Sequence, residues 1–153
     1  LEVEIDRTGY WTTEIADTFR PTAKIEMGNS ETSLYAYLDA LEGSVEHWLE
    51  NNGGRDQVDF WNDFHKHVYH APFGGMTFQA HRRVCQLFGL KKRSEIEAHY
   101  NAKVAAQLHF GQDLGSTYSA STFIGLLGQL QSAGDIRGDE RLTIFAYGSG
   151  SQG

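Results

Sequence analysis

The sequence predicts an α/β fold with helices layered against a sheet. Three observations carry that expectation. Residues 33–51 hold a long helix-periodic stretch, and short strand-like stretches alternate with further helical spacing downstream. The closing stretch, Leu142 to Tyr147, is apolar on both faces apart from Thr143, the pattern of a buried central strand covered by helices.

Taken in order, Val3 and Ile5 alternate with acidic residues, and Arg20-Pro21-Thr22 follows, where proline fixes φ and discourages helix before it. Residues 1–30 therefore read as irregular surface structure, and the α/β core elements are expected within 31–153. Over 33–51, Leu34, Tyr37, Leu38, Leu41, Val45, Trp48 and Leu49 recur at three-and-four spacing. Asn29 or Ser30 supplies an N-cap, and Asn51-Asn52-Gly53-Gly54 a stop. Val58 to Phe64 is aromatic and mixed. His65 to Tyr69 reads as a short strand that ends at His70-Ala71-Pro72-Phe73-Gly74-Gly75.

Helical spacing returns over 76–88 and closes at Gly89. Ser94 is placed to cap a further helix running to about Leu108. Small polar residues interrupt regular structure over 111–121, after which Ser119 can cap a helix carrying Phe123, Ile124, Leu127 and Leu130. Gly125 and Gly128 within it imply close packing against another backbone.

A chain of 153 residues suits a single domain, and 40% hydrophobic with 22% charged residues suits a packed globular core. The net charge of -7 argues against nucleic acid, whose binders present a basic face. No apolar run approaches the roughly 20 residues that span a bilayer, so no membrane partner is expected. Cys85 is the single cysteine, which excludes an internal disulfide and a cysteine-rich zinc site and suits a reducing, cytoplasmic setting. The chain starts at Leu1 without methionine and closes in a glycine-rich tail directly after a strand, so it is expected to be incomplete at both ends.

Three candidate chemistries present themselves. Gly148-x-Gly150-x-x-Gly153 has the spacing of a dinucleotide-binding turn but lacks the helix and the downstream acid that such a turn needs, so no cofactor is expected. His65, His67 and His70 lie within six residues. A strand sets only the first two on one face, and no carboxylate or thiol at a recognised spacing completes a set, so no metal is expected. His70 itself stands where a strand gives way to a glycine-containing loop. There an imidazole can act as hydrogen-bond donor, acid or base near neutral pH.

Five ordered stretches together resemble the hydroxymethylglutaryl-CoA synthase family of the thiolase superfamily. They are Tyr10-Trp11 through Asp17-Thr18-Phe19-Arg20-Pro21-Thr22, Ser33-Leu34-x-x-Tyr37-Leu38-Asp39-Ala40-Leu41, Tyr69-His70-Ala71-Pro72-Phe73, Gly115-Ser116-Thr117-Tyr118-Ser119-Ala120-Ser121 and Phe145-Ala146-Tyr147-Gly148-Ser149-Gly150. The resemblance implies that residues 1–153 are the C-terminal half of a thiolase-like layered fold (αβαβα). It also implies an acyltransferase that adds an acetyl carbanion to the ketone of a β-ketoacyl thioester. His70 is then the group that binds and protonates the ketone oxygen, and Pro72, Ser116, Tyr118, Gly148 and Ser149 line the substrate. The family's cysteine nucleophile and glutamate base lie in an N-terminal half that this chain lacks, while Cys85 on an amphipathic helix reads as structural.

Two departures bear on the substrate. Ser116 stands where the family usually has asparagine, replacing an amide donor near the thioester carbonyl by a hydroxyl. Gly75 stands where mevalonate-pathway synthases have a lysine suited to CoA phosphates. The His70-Ala71-Pro72-Phe73-Gly74-Gly75-Met76 form, followed by Ala80-His81-Arg82, resembles instead the subgroup that installs β-branches on polyketides held by acyl carrier proteins. Such acidic carriers need a basic landing patch, for which Arg82, Arg83, Lys91, Lys92 and Arg93 are the candidates. CoA thioesters are the alternative substrates, a non-catalytic scaffold half is the alternative role, and a homodimer is expected by family analogy.

Overall fold

The computed structural model describes residues 2–22, 24–132, 134 and 136–148. The chain divides into two compact units, one of residues 2–58 with 147–148 and the other Asp59–Ala146.

The first unit departs from the irregular region expected over 1–30. Strand β1 (Thr18–Thr22) pairs antiparallel with β2 (Ile25–Gly28), and the register shifts between Phe19 and Thr22. Pro21 lies within that shift, where a strand tolerates a residue with no N–H to give. Helix α1 (Ser30–Asn51) follows directly. Asn29 caps it, its side-chain oxygen accepting the Thr32 N–H at 2.9 Å. Asp17 braces the same turn, accepting from the Ser33 hydroxyl at 2.9 Å and, through its carbonyl, from Asn29 N–H at 2.9 Å. Tyr37 and Leu41, four residues apart, are buried on the inner stripe, and the helix stops where Gly54 N–H returns to the Leu49 carbonyl.

The second unit is built around a parallel pair. Strand β3 (Lys66–Tyr69) lies beside β4 (Leu142–Phe145) with Lys66 opposite Leu142 and Tyr69 opposite Phe145. Parallel strands need a long crossover, and helices supply it here. Between α2 (Phe60–Asp63) and β4, the chain runs through β3, α3 (Gly74–Leu87), α4 (Arg93–Lys103), α5 (Gly111–Leu114) and α6 (Ala120–Ser132). Met76, Ala80 and Val84 bury one stripe of α3, each larger side chain contributing about 1.5–3 kcal/mol. The helix closes as expected at Gly89, whose φ of +87° lets its N–H reach Gln86 O while Leu90 N–H reaches Cys85 O.

Three expectations are corrected. The helix expected to be capped by Ser94 and to run to about Leu108 instead has Lys92 at its N-cap, two residues earlier, and breaks at Val104, giving way to a 3-10 turn over Ala105–Leu108 that carries Gln107 to the edge of β3. Most of the apolar residues that signalled α6 are on its exposed side. Phe123 and Leu127 are 70% and 57% exposed, while Ser121, Thr122, Gly125, Gly128 and Gln129 form the buried face. The glycines do pack as expected, since a Cβ at Gly128 would stand 2.8 Å from the Ala106 carbonyl oxygen. Finally, β4 is not a covered central strand. Ile144 is 52% exposed, and among the described residues β4 pairs only with β3, so no second strand covers its other edge there.

Candidate active site

The sheet register carries the backbone of His70. Its N–H donates to the Phe145 carbonyl at 2.8 Å, which continues the β3–β4 ladder one residue past the strand. Alternation sends Tyr69 N–H and C=O to the other edge of β3, and there a single side chain satisfies both. Gln107 Oε1 accepts from Tyr69 N–H at 3.0 Å, and Gln107 Nε2 donates to Tyr69 O at 2.9 Å. One residue pair earlier, Gln129 Nε2 donates to the His67 carbonyl at 3.2 Å and also reaches the carbonyls of Lys103 and Val104. Two buried amides thus take the place of a neighbouring strand, and unmet backbone groups here would each cost about 1–3 kcal/mol.

The imidazole of His70 is fixed from α6. Ser121 Oγ lies 3.1 Å from His70 Nδ1 and accepts the Ala71 N–H at 3.2 Å. That N–H occupies one lone pair of Oγ and leaves the serine hydroxyl hydrogen able to donate to Nδ1, the arrangement in which the neutral ring carries its proton at Nε2. Burial lowers the His70 pKa, so the ring is neutral at pH 7 and its protonated form is a stronger acid than a free imidazolium. This arrangement can hold an Nε2–H donor toward an acceptor oxygen and pass it a proton.

Tyr69, on the opposite face of β3, leads to a different cluster. Its hydroxyl meets His81 Nδ1 at 2.9 Å, and His81 Nε2 meets His99 Nδ1 at 2.7 Å, with the two rings stacked. His67 joins the same face and bonds Thr143 Oγ1 through Nδ1 at 2.8 Å. Burial, then neighbouring positive charge, pushes His81 down to about 3, and His67 is lowered well below 6.5 for the same reasons. Cys85 is fully buried and its thiol is pushed up to about 12 by burial, which fits the structural reading and not a nucleophile.

The other expected site residues divide. Pro72 is exposed beside His70. Ser116 and Tyr118 lie in the exposed loop before α6, where Tyr118 is 84% exposed and holds a left-handed backbone at φ 51°. Gly148 falls in the other compact unit, and Ser149, with Gly150 and Gly153 of the glycine-rich tail, lies outside the described residues. Of the basic residues, Arg82 and Arg83 lie on α3, Lys91 and Lys92 precede α4, and Arg93 opens it. Lys92 pairs with Glu95 at 3.3 Å and Arg93 with Glu97 at 2.7 Å, so part of that patch is already neutralised. Sequence reasoning missed Ser121, which stood inside a quoted stretch without a role. It also missed Gln129, although a glutamine beside Gly128 on an otherwise apolar helix signals a buried polar contact. Nothing local in the sequence marks Gln107.

The comparisons with known proteins meet this geometry. The family model for the C-terminal part of hydroxymethylglutaryl-coenzyme A synthase matches residues 88–153. The polyketide biosynthesis 3-hydroxy-3-methylglutaryl-ACP synthase PksG of Bacillus subtilis (strain 168) is 32% identical over 150 residues, 98% of this chain. The chain is thus similar to the C-terminal portion of the hydroxymethylglutaryl-CoA synthases. It spans about a third of the length of these relatives, 35% for PksG. Among solved structures, the curacin biosynthetic pathway HMG synthase in complex with acetyl donor-ACP is 31% identical and superposes with a TM-score of 0.86. That match covers 96% of this chain and 35% of that one. MvaS in complex with 3-hydroxy-3-methylglutaryl coenzyme A stands further off, at 25% identity and a TM-score of 0.68 over 84% of this chain and 35% of that one. The α/β arrangement described above is thus a portion of the synthases' thiolase-like fold. Among the described residues no helix is long and apolar enough to cross a membrane.

Proposed function

We propose that this chain is the C-terminal portion of an acyltransferase of the hydroxymethylglutaryl-CoA synthase type, adding an acetyl carbanion to a β-ketoacyl thioester presented by an acyl carrier protein. The observation that carries the reading is His70, anchored by the β3–β4 ladder and held through Nδ1 by Ser121. In this reading Nε2–H binds the acceptor ketone. As the new carbon–carbon bond forms, negative charge gathers on that oxygen, and His70 stabilises it and supplies the proton that makes it a tertiary alcohol. By analogy with the family, Pro72, Ser116 and Tyr118 line the acyl chain, with the Ser116 hydroxyl beside the thioester carbonyl.

The cysteine that carries the acetyl group and the glutamate that removes its proton belong to the rest of the enzyme. The exposed apolar side chains of Phe123 and Leu127, four residues apart on one face of α6, and of Ile144 on β4 support a covering by that remaining part, since large exposed apolar side chains ask for a partner. A homodimer in a reducing, cytoplasmic setting completes the proposal by analogy with the family.

Similarity favours carriers over CoA, because the relative named for HMG-ACP and the synthase solved with donor-ACP stand nearer than MvaS. Gly75 in place of a lysine points the same way. The test compares acetoacetyl-carrier protein with free acetoacetyl-CoA as acceptor for the full-length enzyme. Efficient turnover on the carrier and poor turnover on CoA is expected; the reverse assigns the enzyme to CoA chemistry. Charge reversal at Arg82 and Lys91 should slow carrier turnover and flatten its salt dependence, and unchanged kinetics would remove these residues from the docking surface.

A further inference from the structure

We propose that His81, Cys85 and His99 form a binding site for a soft divalent metal ion, zinc being the ion best suited to the donors. The position of the site follows from the fold. His81 and Cys85 are four residues apart on α3 and so share a face, and α4 brings His99 against them. One donor atom from each lies within 4.8 Å of the other two. Sequence spacing does not reveal the set, because the third donor is supplied by a neighbouring helix.

The donor chemistry narrows the ion. Two imidazole nitrogens and a sulfur, with no carboxylate in the group, suit zinc and disfavour magnesium or calcium. An orienting partner is already present, since the Tyr69 hydroxyl holds His81 at Nδ1 and leaves Nε2 pointing at His99. A third imidazole stands next to the group. The His67 ring centre is 5.3 Å from that of His81 and 6.0 Å from that of His99. Its Nε2 is buried and has no hydrogen-bond partner among the described residues. An ion, or a water bound to one, would give that nitrogen the partner it lacks.

Binding requires a small opening. Two nitrogens on one tetrahedral zinc stand about 3.3 Å apart, given Zn–N bonds of about 2.0–2.1 Å. The Nε2–Nδ1 separation here is 2.7 Å. A ring rotation that widens the pair by roughly 0.6 Å admits the ion between the nitrogens, and the Cys85 sulfur must come to about 2.3 Å from it. The Cys85 thiol loses its proton as the Zn–S bond forms, so each ion bound releases one proton from sulfur. The opposing charge is the Lys103 ammonium, which acts on all three rings from its position on the carbonyls of Trp61 and Phe64. The thiolate formed on binding cancels one of the ion's two charges, so the site gains a single positive charge facing Lys103.

The test is a titration of the purified protein with cobalt(II) as a spectroscopic stand-in for zinc. Because Cys85 is the single cysteine in the sequence, a thiolate-to-cobalt charge-transfer band can come from no other residue of this chain. We expect that band at one cobalt per chain, together with the intense d–d envelope of four-coordinate cobalt, both abolished by added zinc. Cys85→Ser should remove the charge-transfer band, and Tyr69→Phe, which removes only the orienting hydroxyl, should weaken binding about 10-fold. Absence of the charge-transfer band in the wild-type protein overturns the proposal whether or not the variants fold. Equal zinc affinity in wild type, Cys85→Ser and His99→Ala also overturns it, by assigning the binding to surface histidines.

Discussion

The two faces of β3 use histidine in opposite ways. On the face of His67 and Tyr69, three imidazoles lie against one another with α3 and α4 closed over them, and burial holds His67 and His81 neutral far below their ordinary range. At the end of the strand, His70 is buried more lightly, leans on one hydroxyl, and is shifted by burial alone. The same side chain is sealed among other rings in one place and, in the proposed reading, serves as the proton donor in the other. What separates them is how much of the ring the surrounding helices enclose, and the cost of each arrangement is measurable.

The closed face should fail in acid. An imidazole in the unfolded chain titrates near 6.5, whereas His81 in the fold takes a proton only near about 3. Between those values the unfolded state binds the extra proton, so the stability contribution is complete above about 6.5 and falls as pH drops toward 3. Each pH unit in that window costs about 1.4 kcal/mol per buried imidazole held neutral. Thermal melts across the range should show this slope, and His81→Gln should flatten it. A slope unaffected by the substitution would show that His81 is not held neutral.

Gln107→Leu attacks the support the two faces share. It removes both partners of Tyr69's backbone while keeping an apolar side chain of similar size. The expected loss is about 2–6 kcal/mol in denaturant unfolding, from two buried groups at about 1–3 kcal/mol each. A loss below about 1 kcal/mol would mean that another group takes over the strand edge.

Ser121→Ala probes the open site alone. Removing the hydroxyl frees the tautomer and tilt of His70, with an expected drop of about 10-fold in kcat at little change in melting temperature, as for other orienting partners of a functional histidine. Ser121→Thr keeps the hydroxyl and should recover most of it. Equal kcat in wild type and Ser121→Ala would remove the serine from the mechanism.

The comparison also marks what the sequence discloses. Local signals placed α1 with its Asn29 cap, the strand before His70, the Gly89 stop and the close approach at Gly128, because each depends on neighbours within a few residues. The resemblance carried His70 to its position. The hairpin at 18–28 went unread because Pro21 masked it, and the apolar residues that mark α6 as a helix do not mark its buried face. Its apolar side chains promise a core, but that core is not with β3, whose cover is the small and polar face of Gly125, Gly128 and Gln129. Gln107 and His99 reach their partners only through the break at Val104 and the packing of α4 on α3, which are tertiary facts with no local signature.

The most direct test of the central claim separates the two half-reactions in the full-length enzyme carrying His70→Ala. Acetyl transfer to the enzyme, followed by mass spectrometry, should proceed, whereas condensation with the β-ketoacyl acceptor in a single turnover should slow about 10²–10⁴-fold. Condensation at the wild-type rate would contradict the account, leaving His70 a structural residue and this portion of the enzyme a scaffold.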